Sequence, residues 1–248
     1  MLARGWLAGT QVFSKEKRDE RRKKLKEEME RGYFDDFKDF RDRKGKVFLA
    51  SERLMPASQA RLFPQIQVLQ PDGTKACFPQ PAISGGGSSS SSGGGSPGES
   101  ASLVCIAFRA GAQEMLEAWA VPFSQRFQGK PGIRVIELSL VESVVMSVWP
   151  FKQAILRGGS KGQGKYQLPV EYLYHFGETE ALRAALHMTN RLTGYVYLVD
   201  GQGRVRWQGS GSPGQEELQH LLRCGGELLT QQQVAGASSS SSSSSSGT

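Results

Sequence analysis

Three cysteines are the residues of this chain best suited to nucleophilic or metal-binding chemistry, and they are Cys77, Cys105 and Cys224. Their number is odd and no two form a CxxC pair, which argues against a disulfide framework and against a zinc site built from cysteines. A reactive thiolate needs exposure and a cationic or helix-N-terminal setting, whereas Cys105 stands between Val104 and Ile106 in a continuous apolar run. We therefore predict a small buried side chain at position 105 and a reducing compartment.

The other residues that could carry chemistry lack an arrangement typical of a site. Three histidines, His175, His187 and His220, show no HxH or HxxxH spacing, so no metal centre is predicted. The glycine-rich stretch 158–165 lacks the GxxxxGK[ST] order of a phosphate-binding loop. The available carboxylates lie in turns or first helical turns, where they interact favourably with helix dipoles. They are Glu178, Glu180, Asp200, Glu216 and Glu217. We predict no catalytic, cofactor-binding or metal-binding residues.

The elements that would position these residues alternate between strands and helices from residue 102 onward. Continuous apolar runs predict strands, and apolar residues at three- and four-residue spacing predict helices. The predicted strands are 102–108, 133–138 and 171–176, and the predicted helices are 112–127 with a kink at Pro122, 145–156 with a start or bend at Pro150, and 179–187. A short hairpin around Pro71–Gly73 comes first, and a helix starting at Ser212–Pro213 comes last. This order predicts an α/β domain, a mixed sheet with helices on both faces.

The segment 194–207, GYVYLVDGQGRVRW, predicts the closing hairpin of that sheet. Its turn at 200–203 is rich in residues that accept positive φ, and its second strand alternates apolar residues with arginines, as a half-exposed edge strand would. The plain interpretation makes Trp207 a core anchor beside a solvated Arg206. The alternative is a partner-binding edge that accepts an added strand. Its candidate contact residues are Asn190, Tyr195, Arg206 and Trp207.

The net charge of +7 is concentrated near the N-terminus, where residues 14–46 hold 14 basic and 10 acidic side chains. High helix propensity there predicts a charged helical arm with one apolar seam. The seam positions are Leu25, Met29, Tyr33, Phe37 and Phe40. The seam either packs on its own domain or binds a partner or a membrane surface. The interspersed acidic residues argue against nucleic-acid binding.

Composition divides the chain into four parts. Residues 1–13 lack acidic side chains and resemble the end of a transit peptide, with an ordinary disordered N-terminus as the alternative. Residues 14–61 form the arm and a connector, and residues 62–229 form the α/β domain, in which a Gly/Ser insertion at 84–98 is predicted to be disordered. Residues 230–248 are predicted to be a disordered, serine-rich tail. No run approaches the roughly 20 apolar residues of a membrane-spanning helix, so any membrane association is predicted to be peripheral.

The order of elements is similar to the peroxiredoxin-like branch of the thioredoxin fold. Enzymes of that branch carry a reactive cysteine just after the strand that 102–108 resembles, and a cis-proline before the penultimate strand. Here the first place reads Arg109 to Gln113 without a cysteine, and Gly194 stands at the second. Both departures argue against thiol chemistry. A thiol-dependent peroxidase or reductase is kept as the alternative function.

A closer resemblance covers residues 15–229. The segments that carry it are YFDDFKDFRDRKGKVF (33–48), FPQIQV (63–68), TNRLTGYVYLVDGQGRVRW (189–207) and GSGSPGQEEL (209–218). They look like the mitochondrial ATP synthase assembly factor Ten family. The resemblance implies a chaperone on the matrix side of the mitochondrial inner membrane, which assists incorporation of the membrane subunit a of the Fo sector. No catalytic residues are assigned to that family, so none carry over to this chain.

Overall fold

The computed structural model of this chain describes residues 36–38, 40–41, 45–79, 101–142, 150–158 and 164–241. Its strands are β1 (Ile66–Leu69), β2 (Lys75–Phe78), β3 (Ala101–Ala107), β4 (Ile133–Val141), β5 (Val170–Phe176), β6 (Tyr195–Val199) and β7 (Val205–Ser210). Its helices are α1 (Gln113–Arg126), which follows a 3₁₀ turn at Ala110–Ala112, α2 (Phe151–Gly158), α3 (Glu180–Leu186) and α4 (Gln215–Ser241). Some predicted features lie outside these residues: the arm up to 35, with Leu25, Met29 and Tyr33, the insertion 84–98, the helical start at 145–149 and the end of the tail.

The described strands form one mixed sheet in the order β2-β1-β5-β4-β3-β6-β7. β3, β4 and β5 are parallel neighbours. β6 pairs antiparallel with β3, and β7 pairs antiparallel with β6. The central parallel strands need crossover connections, which α1 and α2 supply. The predicted fold class, a thioredoxin-like mixed sheet of the peroxiredoxin-like branch with a closing hairpin and a last helix, is confirmed by this order of elements.

Helices cover both faces of the sheet because β3 and β6 are apolar on both faces. On one face Trp119 of α1 and Leu221 of α4 pack with alternate residues of β3 and β6. On the other face Leu182 and Leu186 of α3 pack with the intervening residues of the same strands. The continuous apolar runs in the sequence therefore reflect burial on both sides, as expected for central strands.

The last helix is longer than the sequence predicts. α4 begins two residues after Pro213 and runs to Ser241. Leu229 and Gln232 are still buried, so the packed stripe of the helix continues past the predicted end of the domain. The prediction that residues 230–241 are disordered is therefore wrong. Neither α4 nor any other described helix is long and apolar enough to cross a membrane.

Gly225 and Gly226 are neighbours in α4 with opposite surroundings. A Cβ added at Gly225 would lie 2.9 Å from Phe123 Cε2 and 3.0 Å from Phe127 Cε2, whereas one added at Gly226 would meet nothing within 4 Å. We expect Gly225→Ala to lower the free energy of unfolding by about 1–3 kcal/mol through overpacking. Gly226→Ala should raise it by about 0.5–1 kcal/mol, because alanine loses less conformational freedom in a helix. Urea unfolding measures both, and equal effects would contradict the packing of α4 on α1.

Candidate functional site

The place where thiol enzymes of this fold carry their nucleophile is occupied by Arg109 and the 3₁₀ turn Ala110–Ala112, directly after β3. Cys105 lies in mid-strand and is 1% exposed, and burial raises the pKa of its thiol well above its usual value. Cys224 on α4 is also buried, and burial raises its pKa to about 11. Cys77 is half-buried on β2, and all three thiols are free. No cysteine is therefore placed where the fold activates one, and Cys105 is buried as predicted.

Gly194, the residue before β6, packs directly against the start of α1. A Cβ at this position would lie 2.8 Å from Leu116 Cδ2 and 3.3 Å from the carbonyl oxygen of Ala112. This close approach favours glycine, because a Cβ would force the Leu116 side chain to move and would crowd the Ala112 carbonyl oxygen. The two departures from the thiol enzymes, the missing cysteine and the glycine in place of proline, thus stand side by side at the start of α1.

A polar cluster around the Glu137 carboxylate of β4 lies on the α1 face of the sheet. Tyr166 donates its hydroxyl hydrogen to Glu137 Oε1, and the Gln113 side-chain amide donates to both carboxylate oxygens at 3.2 Å. The hydroxyl of Tyr172, across the β4–β5 pair, is buried and has no hydrogen-bond partner among the residues that the structure describes. Burial and the Glu137 charge raise the pKa of Tyr166 far above its usual value and that of Tyr172 to about 12. Neutral donors therefore hold this carboxylate, and it ties α1, β4 and the loop before β5 together.

Sequence reasoning missed this cluster because Glu137 is one acidic residue in an otherwise ordinary strand pattern. Its partners lie 24 and 29 residues away along the chain. Within the described residues, no group of His, Cys, Asp and Glu is arranged to hold a metal ion.

Residues 45–63, which we call the strap, run along the outer edge of β7. Backbone hydrogen bonds join the two at intervals: Ser51 N–H donates to the Gln208 carbonyl at 2.9 Å and Met55 N–H to the Arg206 carbonyl at 2.8 Å. In the other direction, Val205 N–H donates to the Arg61 carbonyl at 2.8 Å. The strap therefore closes the sheet edge that the sequence predicts to be half-exposed, and that prediction is wrong.

Arg206 and Trp207 are buried beneath the strap, at 5% and 1% exposure. The Arg206 guanidinium donates to the Met55 carbonyl at 2.6 Å and to Asp200 Oδ2 at 3.3 Å. The Trp207 indole N–H donates to the Ser51 carbonyl at 2.6 Å. The interpretation of Trp207 as a core anchor is confirmed, whereas the solvated charge expected at Arg206 is wrong because the strap and Asp200 enclose it.

Asn190 and Tyr195 are also occupied within the chain. The Tyr195 hydroxyl donates to the Asn190 carbonyl at 2.8 Å and accepts from the Asn190 N–H at 2.9 Å, and burial raises its pKa. The Asn190 side-chain amide donates to the Asp36 carbonyl at 2.6 Å. Among the described residues of the predicted partner-binding set, Phe37 is half-exposed and Phe40 is more buried. A partner-binding role for the set stays a prediction.

Glu217 of α4 fastens the beginning of the strap. Its carboxylate pairs with the Lys46 ammonium and accepts hydrogen bonds from Ala50 N–H at 3.0 Å and from Gly214 N–H at 2.7 Å. Burial alone would raise the pKa of Glu217, but these hydrogen bonds outweigh it and hold the pKa below its ordinary value of 4.5. The ionised carboxylate is therefore the form that the folded strap favours.

The comparison with protein families identifies the family of this chain. The family described as ATP10 protein matches residues 7–228. This chain belongs to the ATP10 protein family. A relative from Saccharomyces cerevisiae, the mitochondrial ATPase complex subunit ATP10, is 24% identical over 209 residues, which cover 83% of this chain and 74% of the relative. The family match includes the strap as well as the α/β domain.

Solved structures with a related arrangement have low sequence identity to this chain. A peroxiredoxin-like protein from Aquifex aeolicus is 12% identical with a TM-score of 0.39, over 71% of this chain and 99% of that one. A putative protein disulfide isomerase from Bacteroides thetaiotaomicron is 10% identical with a TM-score of 0.42, over 75% of this chain and 93% of that one. At these identities the likeness does not extend to an activity.

Replacing Glu217 tests how the strap is fastened. We expect Glu217→Gln to destabilise the protein, by about 1 kcal/mol after allowance for solvent screening. Glutamine lacks the charge that pairs with Lys46, and it keeps only one of the two oxygens that accept from the Ala50 and Gly214 N–H groups. Since the folded-state pKa is lowered, the difference from the parent should be full above pH 4.5 and disappear as the pH falls through the folded-state pKa. Urea unfolding at several pH values measures it.

The exposed neighbour Glu216 provides the matched control, because it stands in the same first turn of α4. Glu216→Gln should change stability by a few tenths of a kcal/mol at most. Equal effects of the two substitutions, or a Glu217→Gln effect that persists in acid, would contradict the assigned role of Glu217.

Proposed function

We propose that this protein is a non-enzymatic assembly factor of the mitochondrial ATP synthase that chaperones the membrane-embedded subunit a of the Fo sector. The observation that carries the proposal is the family match over residues 7–228, with a yeast relative named as a subunit of the mitochondrial ATPase complex. The match supports a role in the assembly of that complex. Subunit a as the client is a more specific proposal, and the resemblance of segments 33–48 and 189–207 to the family supports it.

The geometry around α1 favours an assembly factor over the alternative of a thiol-dependent redox enzyme. Such an enzyme needs a thiolate that is exposed and lowered in pKa. Here the position after β3 holds Arg109 and small residues, and burial raises the pKa of both Cys105 and Cys224. The chain keeps the framework of the fold without the group that performs its redox chemistry.

The proposed mechanism is transient masking of apolar helix surface on the client until that surface meets its final partners. An assembly factor acting in this way needs exposed apolar side chains on a stable support. Phe37 is half-exposed at the point where the arm meets the domain. The preceding residue, Asp36, is held in place because its carbonyl accepts a hydrogen bond from the Asn190 side-chain amide. Because the strap covers the β7 edge, a contact on that side of the sheet is made by side chains and not by an added strand.

The proposed location is the matrix side of the mitochondrial inner membrane, with peripheral attachment. The mitochondrial name of the yeast relative supports the organelle. Peripheral attachment agrees with the described helices, none of which is long and apolar enough to cross a bilayer. The matrix side rests on the family resemblance of segments 33–48 and 189–207.

Complementation of cells that lack their own copy of this assembly factor tests the proposal. We expect the parent chain, and a variant with Cys77→Ala, Cys105→Ala and Cys224→Ala, to restore equal amounts of assembled ATP synthase on native gels, because no thiol takes part. Since Cys105→Ala leaves a small cavity that costs about 1–2 kcal/mol, the amounts are normalised to folded protein measured by circular dichroism.

Two outcomes would contradict the proposal in different ways. Loss of assembly with the cysteine-free variant at equal folded protein would favour the redox enzyme. Fully assembled ATP synthase in cells that contain no copy of the factor would show that assembly does not require it.

A further inference from the structure

The strap presents apolar side chains to solvent. Three of the six exposed large apolar residues in the described part of the chain lie on it: Leu49 at 78%, Met55 at 44% and Leu62 at 66% exposure. Isolated exposed apolar residues are common on protein surfaces, whereas several along one edge mark an interaction surface. The strap is 19 residues long, from 45 to 63, so this density is well above that of the rest of the described surface.

These side chains are held outward because the strap is fixed to the sheet. Leu62 pairs with Arg204 in an isolated bridge, and the Met55 N–H is bonded to the Arg206 carbonyl. Leu49 stands between Phe48 and Ala50, whose N–H groups are bonded to Ser210 Oγ and Glu217. The three side chains follow β7 from end to end, a distance of about 17–20 Å at the rise of a strand. They form one rim that cannot fold back onto the domain.

Basic side chains accompany this rim. The strap contains Lys46, Arg53 and Arg61 against one acidic residue, Glu52, and Lys46 is neutralised by its pair with Glu217. Within the described residues, Arg53 has no hydrogen-bond or ion-pair partner in its own chain. The rim therefore combines apolar groups with available positive charge.

Arg53 also lines a cleft between the strap and α4. The cleft has a volume of about 380 Å³ and is lined by Arg53, Leu54, Arg223 and Glu227. Arg223 donates to the Glu52 carbonyl, and its Nε lies 3.8 Å from Glu227 Oε1. The lining carries two guanidinium groups against one carboxylate, so it favours a singly charged anion such as a phosphodiester.

We propose that the strap is the surface by which this protein lies on an anionic phospholipid bilayer, with Leu49, Met55 and Leu62 among the head groups and a lipid phosphate between Arg53 and Arg223. This rests on the peripheral attachment stated under the proposed function and names the surface responsible. Apolar side chains flanked by arginines are the composition that binds membrane interfaces. An apolar protein helix on the same rim would bury the Arg53 charge without an anion, which is unfavourable.

Vesicle flotation tests the proposal with the full chain. Vesicles of phosphatidylcholine alone and of phosphatidylcholine with phosphatidylglycerol serve as probes. Leu49→Ser combined with Leu62→Ser should weaken binding about ten-fold or more on anionic vesicles, because it removes apolar area that enters the interface. Arg53→Gln should weaken binding about five-fold on anionic vesicles and leave binding to neutral vesicles unchanged.

Two substitutions at the opposite side of the sheet are the matched controls. Phe151→Ser removes an exposed apolar side chain from α2, and Lys75→Gln removes one positive charge from β2. β2 lies six strands from β7, or about 29 Å away. Both controls should bind vesicles as the parent does, and all the substituted positions are exposed, so thermal unfolding should be unchanged throughout.

Three results would overturn the proposal. The strap variants could bind anionic vesicles as tightly as the parent, or the controls could lose as much binding as the strap variants. Alternatively, inorganic phosphate could stabilise the parent against heat, and Arg53→Gln abolish that effect, while vesicles fail to bind, which would make the cleft a site for free phosphate. Failure of the proposed function is a separate result: the parent would bind vesicles but not restore ATP synthase in complementation.

Discussion

The buried outer edge of β7 is the constraint on which the rest of this structure depends. β7 pairs with β6 on one side, and it brings a guanidinium and an indole N–H inside the fold through Arg206 and Trp207. A buried charge or donor without a partner costs several kcal/mol. The strap supplies the missing acceptors through the carbonyls of Met55 and Ser51. The α/β domain is therefore complete only with the segment that precedes it.

This dependence shapes the functional account. The strap and the domain form one unit, which agrees with a family match that begins at residue 7 and not at the first strand. The strap closes the β7 edge, so in the proposed account the contacts on this side are made by side chains: Leu49 and Leu62 on the strap for the membrane, and Phe37 where the arm joins the domain for the client. The position after β3, where the same fold can place a reactive thiol, holds no cysteine. The protein retains a stable framework, and the proposed membrane surface runs along the β7 margin of it.

The order of strands and helices could be predicted because each element leaves a local pattern: continuous apolar runs for β3 and β6, and a helical apolar stripe for α1. The strap could not be predicted, since its partners are remote; the Met55 carbonyl lies 151 residues from Arg206. The alternating pattern of β7 fits an exposed edge and a covered one equally well. The continuation of α4 could not be predicted either, because the end of the chain is rich in serine. Gln232 is buried in this continuation, although it lies beyond the apolar stripe visible in the sequence.

Site-specific crosslinking would test the central claim, that this protein holds a newly made Fo subunit, most directly. A photo-reactive amino acid at Phe37, which is half-exposed beside the Asn190 anchor, would be activated in mitochondria while their translation products are labelled. The account predicts a labelled crosslink of the size of subunit a, which disappears once the ATP synthase is assembled, and none from the same group at Lys75 on β2. No crosslink to a mitochondrial translation product at Phe37, or an equal one at Lys75, would contradict it.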